Sequence, residues 1–367
     1  MNKAFFCALV TTGLLPGQGQ DFSPSEEFKA NHRGEWTIEV PEVQELVHII
    51  IAITPVGIED RNMVLHESDY YESVQTHFGL YRDHSVVTNI NRLLEKGRYA
   101  RLKMDACGFY FNDQGRIEKD LTYQRLNWSE KNFVEPILED LEDFSDKTGF
   151  REFFAKHQEY YDSLVALMKS QMPVDNQWKW LEERCPEKYD NYRITFSPLT
   201  NGSHSTNRFE TKDFRQTVMF ICGPIVSKQW SEKVREGLMT RIVFTEIDHN
   251  YIDPLTEKFK KQVGDVFKNR DKWTSGKDSE HYGSAVAVFN EYMTWAVFTL
   301  YAFDTFNESD FSKINERTET LMTEWRGFQE FKEFNRELLE LYKKQRPEEQ
   351  IENLYPLILE WCGKRRR

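Results

Sequence analysis

The chain has 367 residues, of which 39% are hydrophobic and 29% are charged, and its formal net charge is −12. This length suits one large domain or two ordinary domains. The negative charge argues against a nucleic-acid-binding surface, and no stretch beyond the N-terminal region is long and apolar enough to predict a membrane span.

Residues 1 to about 20 have the composition of a secretory signal. Lys3 supplies the positive start, and the apolar run from Ala4 to Leu15 is too short to cross a bilayer. Small residues follow at Gly17 and Gly19, where cleavage is expected. We therefore predict an exported protein, periplasmic or secreted; a buried N-terminal helix is the alternative.

The mature chain keeps four cysteines, and an exported protein can pair them in three ways. They are Cys107, Cys185, Cys222 and Cys362. No Cys-x-x-Cys is present, so the sequence excludes a cysteine zinc site of that kind.

The first half of the chain predicts a mainly helical domain over residues 21–185. Residues 36–40 alternate and predict a strand, whereas Val43 to Ile53 is a long, mainly apolar stretch that fits a helix or a buried strand. Residues 107–111 and 116–118 flank Asn112–Gly115, and this pattern predicts a hairpin. Amphipathic helices are predicted at 69–80, 85–96, 129–141, 149–172 and 175–183.

The second domain is predicted over residues 186–367. Two strands, at 192–199 and 214–222, precede a long helix from Ser231 to Ile252, which we expect Pro254 to end because the residue before a proline avoids the α region. Further helices are predicted at 254–267, 281–303, 310–325, 328–344 and 347–362.

Ionisable residues interrupt the apolar end of the 231–252 helix. Glu246, Asp248 and His249 lie among residues spaced for burial, and burying such groups is unfavourable unless something pairs with them or coordinates them. The stretch Thr245–His249 differs at one position from His-Glu-x-x-His, a motif whose two histidines hold zinc and whose glutamate activates the metal-bound water. This stretch is the first candidate for a functional site.

The chain resembles a bacterial domain-of-unknown-function family of secreted, zincin-like proteins. The family core is His-Glu-Phe-x-His-x-(Phe/Tyr)-x-Asn-Pro followed by Asn-Glu on a later helix; here it reads from Thr245 to Pro254, with Asn290-Glu291 downstream. The resemblance covers roughly residues 35 to 305 and departs from the core at Thr245. It also takes in Tyr70–Phe78 with Tyr81, Arg82 and His84, then Gly149–Phe154 with Tyr160 and Tyr161, and Ser197–Leu199 with Gly202 and His204.

The resemblance implies an α+β, zincin-like fold, mostly helical, with a small mixed sheet preceding the active-site helix. It also implies that Glu291 supplies the third metal ligand and that a histidine or tyrosine holds the oxyanion of the transition state, for which His281 or Tyr282 is the candidate. The alternative for His281 is an ordinary surface histidine.

Three hypotheses remain for the altered motif. In the first, Glu246, His249 and Glu291 bind zinc or another divalent metal, and Asp248 replaces Glu246 as general base. In the second, Glu246 stays the base, and only two ligands hold the ion. In the third, these side chains form a buried network without metal.

Two functions follow from these hypotheses. One is a metallopeptidase-related protein whose peptide hydrolysis is weak or changed, and the other is an inactive pseudo-peptidase that binds a peptide or protein ligand. No Gly-x-Ser-x-Gly motif supports a serine hydrolase.

Overall fold

The computed structural model describes residues 24–121, 123, 132–202, 204–225, 228–276 and 282–365. Within them the chain is mostly helical and carries a small mixed sheet, which confirms the α+β class. The predicted signal segment and His281 lie outside the described residues. In the described part, every helix is too short or too polar to cross a membrane.

The chain divides into two compact units. Unit 1 joins the residues up to Lys169 with Tyr189–Pro224, and unit 2 joins Ser170–Lys188 with Ile225–Arg367. The division differs from the expected domains 21–185 and 186–367, because the strands that follow residue 189 belong to unit 1. A strand near residue 35 pairs with them, so the chain crosses between the units more than once.

Unit 1 holds one four-stranded sheet and one hairpin. The strands are β1 (Glu35–Glu39), β2 (Phe109–Phe111), β3 (Ile117–Lys119), β4 (Asn191–Phe196), β5 (Ser205–Glu210) and β6 (Arg215–Ile221). The sheet order is β1-β4-β6-β5, in which β1, β4 and β6 are parallel and β5 is antiparallel to β6. Ile38 pairs with Ile194 and Ile194 with Met219. The antiparallel pairing of β2 and β3 confirms the predicted hairpin.

The helices of unit 1 include one that is buried along almost its whole length. They are α1 (Glu26–His32), α2 (Glu42–Ile53), α3 (Pro55–Glu59), α4 (Asp69–Phe78), α5 (Ser85–Glu95), α6 (Tyr99–Ala106), α7 (Leu138–Thr148), α8 (Phe150–Lys156) and α9 (Gln158–Gln171), whose last two residues belong to unit 2. Every residue of α2 from Val43 onward is buried. Its side chains are mainly apolar, as expected of a helix buried on all sides, so the stretch that fitted a helix or a strand is a core helix.

Unit 2 is helical in its described residues. Its helices are α10 (Val174–Arg184), α11 (Glu232–Ile247), α12 (His249–Lys258), α13 (Lys260–Phe267), α14 (Ala285–Thr305), α15 (Glu308–Thr320), α16 (Phe331–Tyr342) and α17 (Leu354–Arg365). A π-helical turn, Leu321–Trp325, follows α15.

The cysteines Cys107, Cys185, Cys222 and Cys362 are buried and form no disulfide.

Candidate functional site

The predicted long helix is two helices. α11 ends at Ile247, Asp248 separates the two, and α12 begins at His249. The backbone N–H groups of Tyr251 and Ile252 both donate to the Asp248 carbonyl oxygen at 2.8 Å. Pro254 lies inside α12 and does not end it, so the expectation that Pro254 closes the helix was wrong.

Helix α14 brings Asn290 and Glu291 to α12. The Ser284 hydroxyl caps α14 by accepting the N–H of Ala287 at 3.1 Å, and residues 288–302 are buried. Thr256 of α12 donates to Oδ1 of Asn290 at 2.7 Å, and the Asn290 amide donates to Asp253. These bonds fix α14 in rotation, so that Glu291 points toward His249.

His249 is held between two carboxylates. Its Nδ1 lies 2.8 Å from Oδ1 of Asp253, and its Nε2 lies 3.6 Å from Oε1 of Glu291. The imidazole is 1% exposed. Burial lowers the pKa of His249, but the charges of Asp253, Glu291 and Glu246 together raise it by more, so the net shift is upward. The arrangement therefore favours an imidazolium ion.

Arg326, which the sequence analysis did not single out, is the second partner of Glu291. Its Nη2 donates to Oε2 of Glu291 at 3.0 Å and also to the Tyr282 hydroxyl. The guanidinium carbon lies 4.7 Å from the centre of the Trp295 ring, and the side chain is buried. Because arginine keeps its proton in proteins, Glu291 faces a permanent cation.

The backbone around Arg326 is fixed by a π-helical turn and a glycine. The Arg326 N–H donates to the carbonyl oxygen of Leu321 at 3.0 Å. Gly327 has φ +74°, and a Cβ there would lie 1.7 Å from the carbonyl oxygen of Ser275. Only glycine fits this position. The pair Arg326-Gly327 after a helical stretch was the one signal in the sequence, and it indicates only a helix end.

The other predicted residues occupy distinct places around this pair. Thr245 is buried, and its hydroxyl donates to the carbonyl oxygens of Arg241 at 3.0 Å and Ile242 at 3.3 Å. Glu246 and Asp248 are fully buried. Burial, together with the carboxylates of Asp253, Glu291 and Glu246, raises the pKa of Asp248 well above its usual value. A protonated Asp248 is a poor general base.

Of the two candidates for holding the oxyanion, the structure describes only Tyr282. His281 lies outside the described residues, so the structure gives no position for it. Tyr282 is described and buried, and its hydroxyl accepts from Arg326. Tyr282 is thus engaged with the cation that neutralises Glu291.

The side chains do not fit a catalytic zinc site with three protein ligands. His249 and Glu291 face each other, but Oε2 of Glu291 is bound to Arg326, and the Thr245 hydroxyl is turned to its own helix. Among the residues that the structure describes, no group of three His, Cys, Asp or Glu side chains is placed to hold a metal ion. The expected ligand set Glu246, His249 and Glu291 is therefore clustered but not arranged around one point.

No known family, curated protein or solved structure matches this chain. The zincin-like resemblance therefore stays a prediction, supported by the residues it was drawn from.

Unit 1 carries a separate cavity of about 640 Å³ over one face of the sheet. Its base contains Arg193, whose Nε lies 2.6 Å from Oε1 of Glu39 and whose Nη1 lies 3.5 Å from Oδ2 of Asp120. Aromatic side chains, Phe28 and Tyr110, contribute to the lining. Ligand cavities in proteins span roughly 300–1,000 Å³, so this one has the size to admit a ligand.

Proposed function

We propose that this protein is an exported, zincin-like pseudo-peptidase that binds a peptide or protein ligand and does not hydrolyse it. The observation that carries the proposal is the 3.0 Å hydrogen bond from Arg326 to Glu291. The residue expected to be the third metal ligand already has a buried cationic partner.

The charge of Arg326 opposes metal binding at this point. A divalent ion bound to Glu291 would lie within a few ångströms of the guanidinium in a medium where like charges repel strongly. Arginine cannot relieve the repulsion by losing its proton. With the Thr245 hydroxyl turned to its own helix, His249 is the one histidine that remains of the two in the usual motif, and it is already paired with Asp253.

The pairing of α12 with α14 supports the zincin-like part of the proposal. The resemblance implies that the histidine of the motif faces the glutamate of the Asn-Glu helix, and His249 lies 3.6 Å from Glu291. Asn290 joins the two helices by donating to Asp253 and by accepting from Thr256. We propose that these contacts now stabilise unit 2.

A cleavage assay tests the loss of catalysis. The mature protein is incubated with a mixed peptide pool and with Zn²⁺, Mn²⁺ or Co²⁺ added separately, and the products are read by mass spectrometry. We expect no cleavage that depends on the metal. Cleavage that a chelator removes and that Glu246→Gln also removes would contradict the proposal.

The cavity of unit 1 is the proposed place for the ligand. It combines charged side chains with aromatic ones, which suits a peptide having both polar and apolar groups. Thr37→Trp would fill the cavity from β1, and Glu35→Trp, at an equally exposed position of the same strand but outside the lining, is the matched control. In a screen of labelled peptides, binding that only Thr37→Trp weakens supports this place. Binding that both variants leave unchanged contradicts it.

A second candidate function is hydrolysis at a changed metal site. It is favoured by the orientation of His249, whose Nδ1 is held by Asp253 while Nε2 faces Glu291. Metal-binding histidines characteristically have such a carboxylate on the other ring nitrogen. Two ligands of one tetrahedral zinc ion lie about 3.4 Å apart, given bonds of about 2.1 Å, and the observed 3.6 Å is close to that separation. The same cleavage assay separates the two functions.

A further inference from the structure

The cluster around His249 carries more acidic groups than basic ones. Glu246, Asp248 and Glu291 are at most 2% exposed, and Asp253 contacts His249 from the same helix. Ionised carboxylates are stable in such surroundings only with a counter-charge. A zinc-loaded site of this type would receive that counter-charge from the ion.

Arg326 is placed to provide the counter-charge from within the chain. Its Nη2 reaches Glu291 and Tyr282, and its Nη1 lies 3.3 Å from Sδ of Met322. Aromatic rings bound the guanidinium, with centroids at 4.7 Å for Trp295 and 5.3 Å for Phe328. Cation–π contacts in a desolvated setting stabilise a buried guanidinium.

The local chain geometry makes this placement specific. The π-helical turn Leu321–Trp325 shifts the chain by one residue, and such turns are frequent at functional positions. Gly327 then lets the backbone approach Ser275 more closely than any side chain would permit. The π-helical turn and Gly327 together position Arg326 beside Glu291.

From this arrangement we propose that Arg326 is a built-in replacement for the metal ion, and that removing it exposes a latent divalent-cation site at His249 and Glu291. The inference rests on the proposed loss of catalysis. It assigns the loss of metal binding to Arg326 as well as to Thr245. Arg326 lies in a part of the chain that the metal motif does not include.

The test compares the wild type with Arg326→Met, which replaces the charged side chain by an unbranched apolar one. Thermal unfolding is measured with Zn²⁺ or Mn²⁺ and with chelator. We expect the melting temperature of Arg326→Met to rise by roughly 5 °C when the metal is at 100 times its dissociation constant. The wild type should not respond.

Two controls isolate the site. Arg241→Met removes another buried arginine that lies over Trp295, at 5.5 Å, and that donates to Thr318. It should gain no response to metal. The double variant Arg326→Met/Glu291→Gln should lose the response gained by Arg326→Met, because the carboxylate ligand is gone.

Each result decides. A folded Arg326→Met protein without a metal response overturns the inference and leaves the proposed function standing. A metal response in the wild type that Glu291→Gln removes overturns the proposed function as well. If Arg326→Met is unfolded in chelator, the inference requires zinc to restore its circular dichroism spectrum, as metal binding does for sites formed only in the folded state. Failure of zinc to do so overturns the inference.

Discussion

Nε2 of His249 and Oε1 of Glu291 lie 3.6 Å apart, although 41 intervening residues separate them in the sequence. The distance exceeds that of an ordinary hydrogen bond, so the two side chains are joined by charge. Glu291 turns its other oxygen to Arg326. The histidine and the arginine thus share one carboxylate.

Glu291→Gln should lower the free energy of unfolding of unit 2 by about 3 kcal/mol, because it leaves the buried Arg326 without its anionic partner. The size of the side chain is unchanged, so packing is preserved. Urea denaturation followed by tryptophan fluorescence measures the loss.

The control for this variant is Glu352→Gln. Glu352 also forms an ion pair, with Lys258 at 2.8 Å, but both side chains are well exposed. Exposed pairs contribute between 0 and about 1 kcal/mol. An equal loss in the two variants would mean that burial of the Arg326 pair has no energetic consequence.

Asp248→Asn should make stability less sensitive to rising pH. The pKa of Asp248 is raised in the folded protein, so folding favours its protonated form. Such a group contributes fully below its unfolded pKa, about 3.9, and the contribution is lost as pH rises through the folded pKa. Asparagine does not titrate, so the variant should gain stability relative to the wild type between pH 5 and pH 8.

His249 titrates with the same sign, since its pKa is also raised. Its contribution is complete below about pH 6.5 and is lost as pH rises through the folded value. The pH dependence that remains in Asp248→Asn should therefore still fall with rising pH. Urea midpoints measured at several pH values give the pH dependence of stability for Asp248→Asn and for the wild type. Equal pH dependence in the two proteins would contradict the assignment to Asp248.

Glu45→Gln provides a similar test in unit 1. Glu45 is fully buried and accepts the Tyr70 hydroxyl at 2.7 Å, while Tyr70 and Tyr161 contact each other through their hydroxyls at 2.6 Å. Burial raises the pKa of Glu45 to about 8, against the opposing hydrogen bonds from Ser197 and Tyr70. The folded state therefore keeps Glu45 protonated well above its unfolded pKa.

The stability supplied by this protonation is present below about pH 4.3 and is lost between there and pH 8. Glutamine keeps the acceptor and cannot ionise. Relative to the wild type, Glu45→Gln should gain stability on the order of 4 kcal/mol as pH rises from 4 to 8. Hydrogen exchange of α2 amides, measured for the variant and the wild type at both pH values, reports the change locally. If the stability difference between the two proteins is the same at both pH values, the ionised Glu45 is in contact with water.

Thr245→His alone should not create a zinc site. From the sequence, a histidine at 245 would stand one turn before His249 and complete the ligand set. In the structure the two positions lie on opposite sides of the break at Asp248, and Arg326 still occupies Glu291. Because position 245 is buried, overpacking should instead lower the free energy of unfolding of the variant by about 1–3 kcal/mol. Calorimetric titration with zinc checks this, with Thr245→Ser, which keeps the hydroxyl and adds no volume, as the control.

The contact between His249 and Glu291 was expected from the zincin-like resemblance, in which the Asn-Glu helix supplies a ligand beside the histidine of the motif. The residues alone indicated only that buried ionisable groups in apolar helices need partners. Arg326 was missed because its role depends on a π-helical turn and on Gly327, neither of which produces a hydrophobic period. Arg326 is also far along the chain from both partners, and the pair Arg326-Gly327 indicates only a helix end.

The limits of the sequence elsewhere have similar causes. Pro254 was expected to end a helix by a rule about the preceding residue, yet α12 continues through it to Lys258 despite the lost hydrogen bond and the clash of the ring with the preceding turn. The helix breaks earlier, at Asp248. Strand β1 was predicted, but its parallel partner β4 begins more than 150 residues later, and no sequence pattern specifies such a pairing.

The most direct test of the account is the metal content of the wild-type protein. The mature chain is dialysed against excess zinc, passed through a desalting column and analysed by elemental mass spectrometry, with Glu291→Gln treated in parallel. The account predicts that the wild type retains far less than one zinc ion per chain and no more than Glu291→Gln. One zinc ion per wild-type chain, lost in Glu291→Gln, would contradict it.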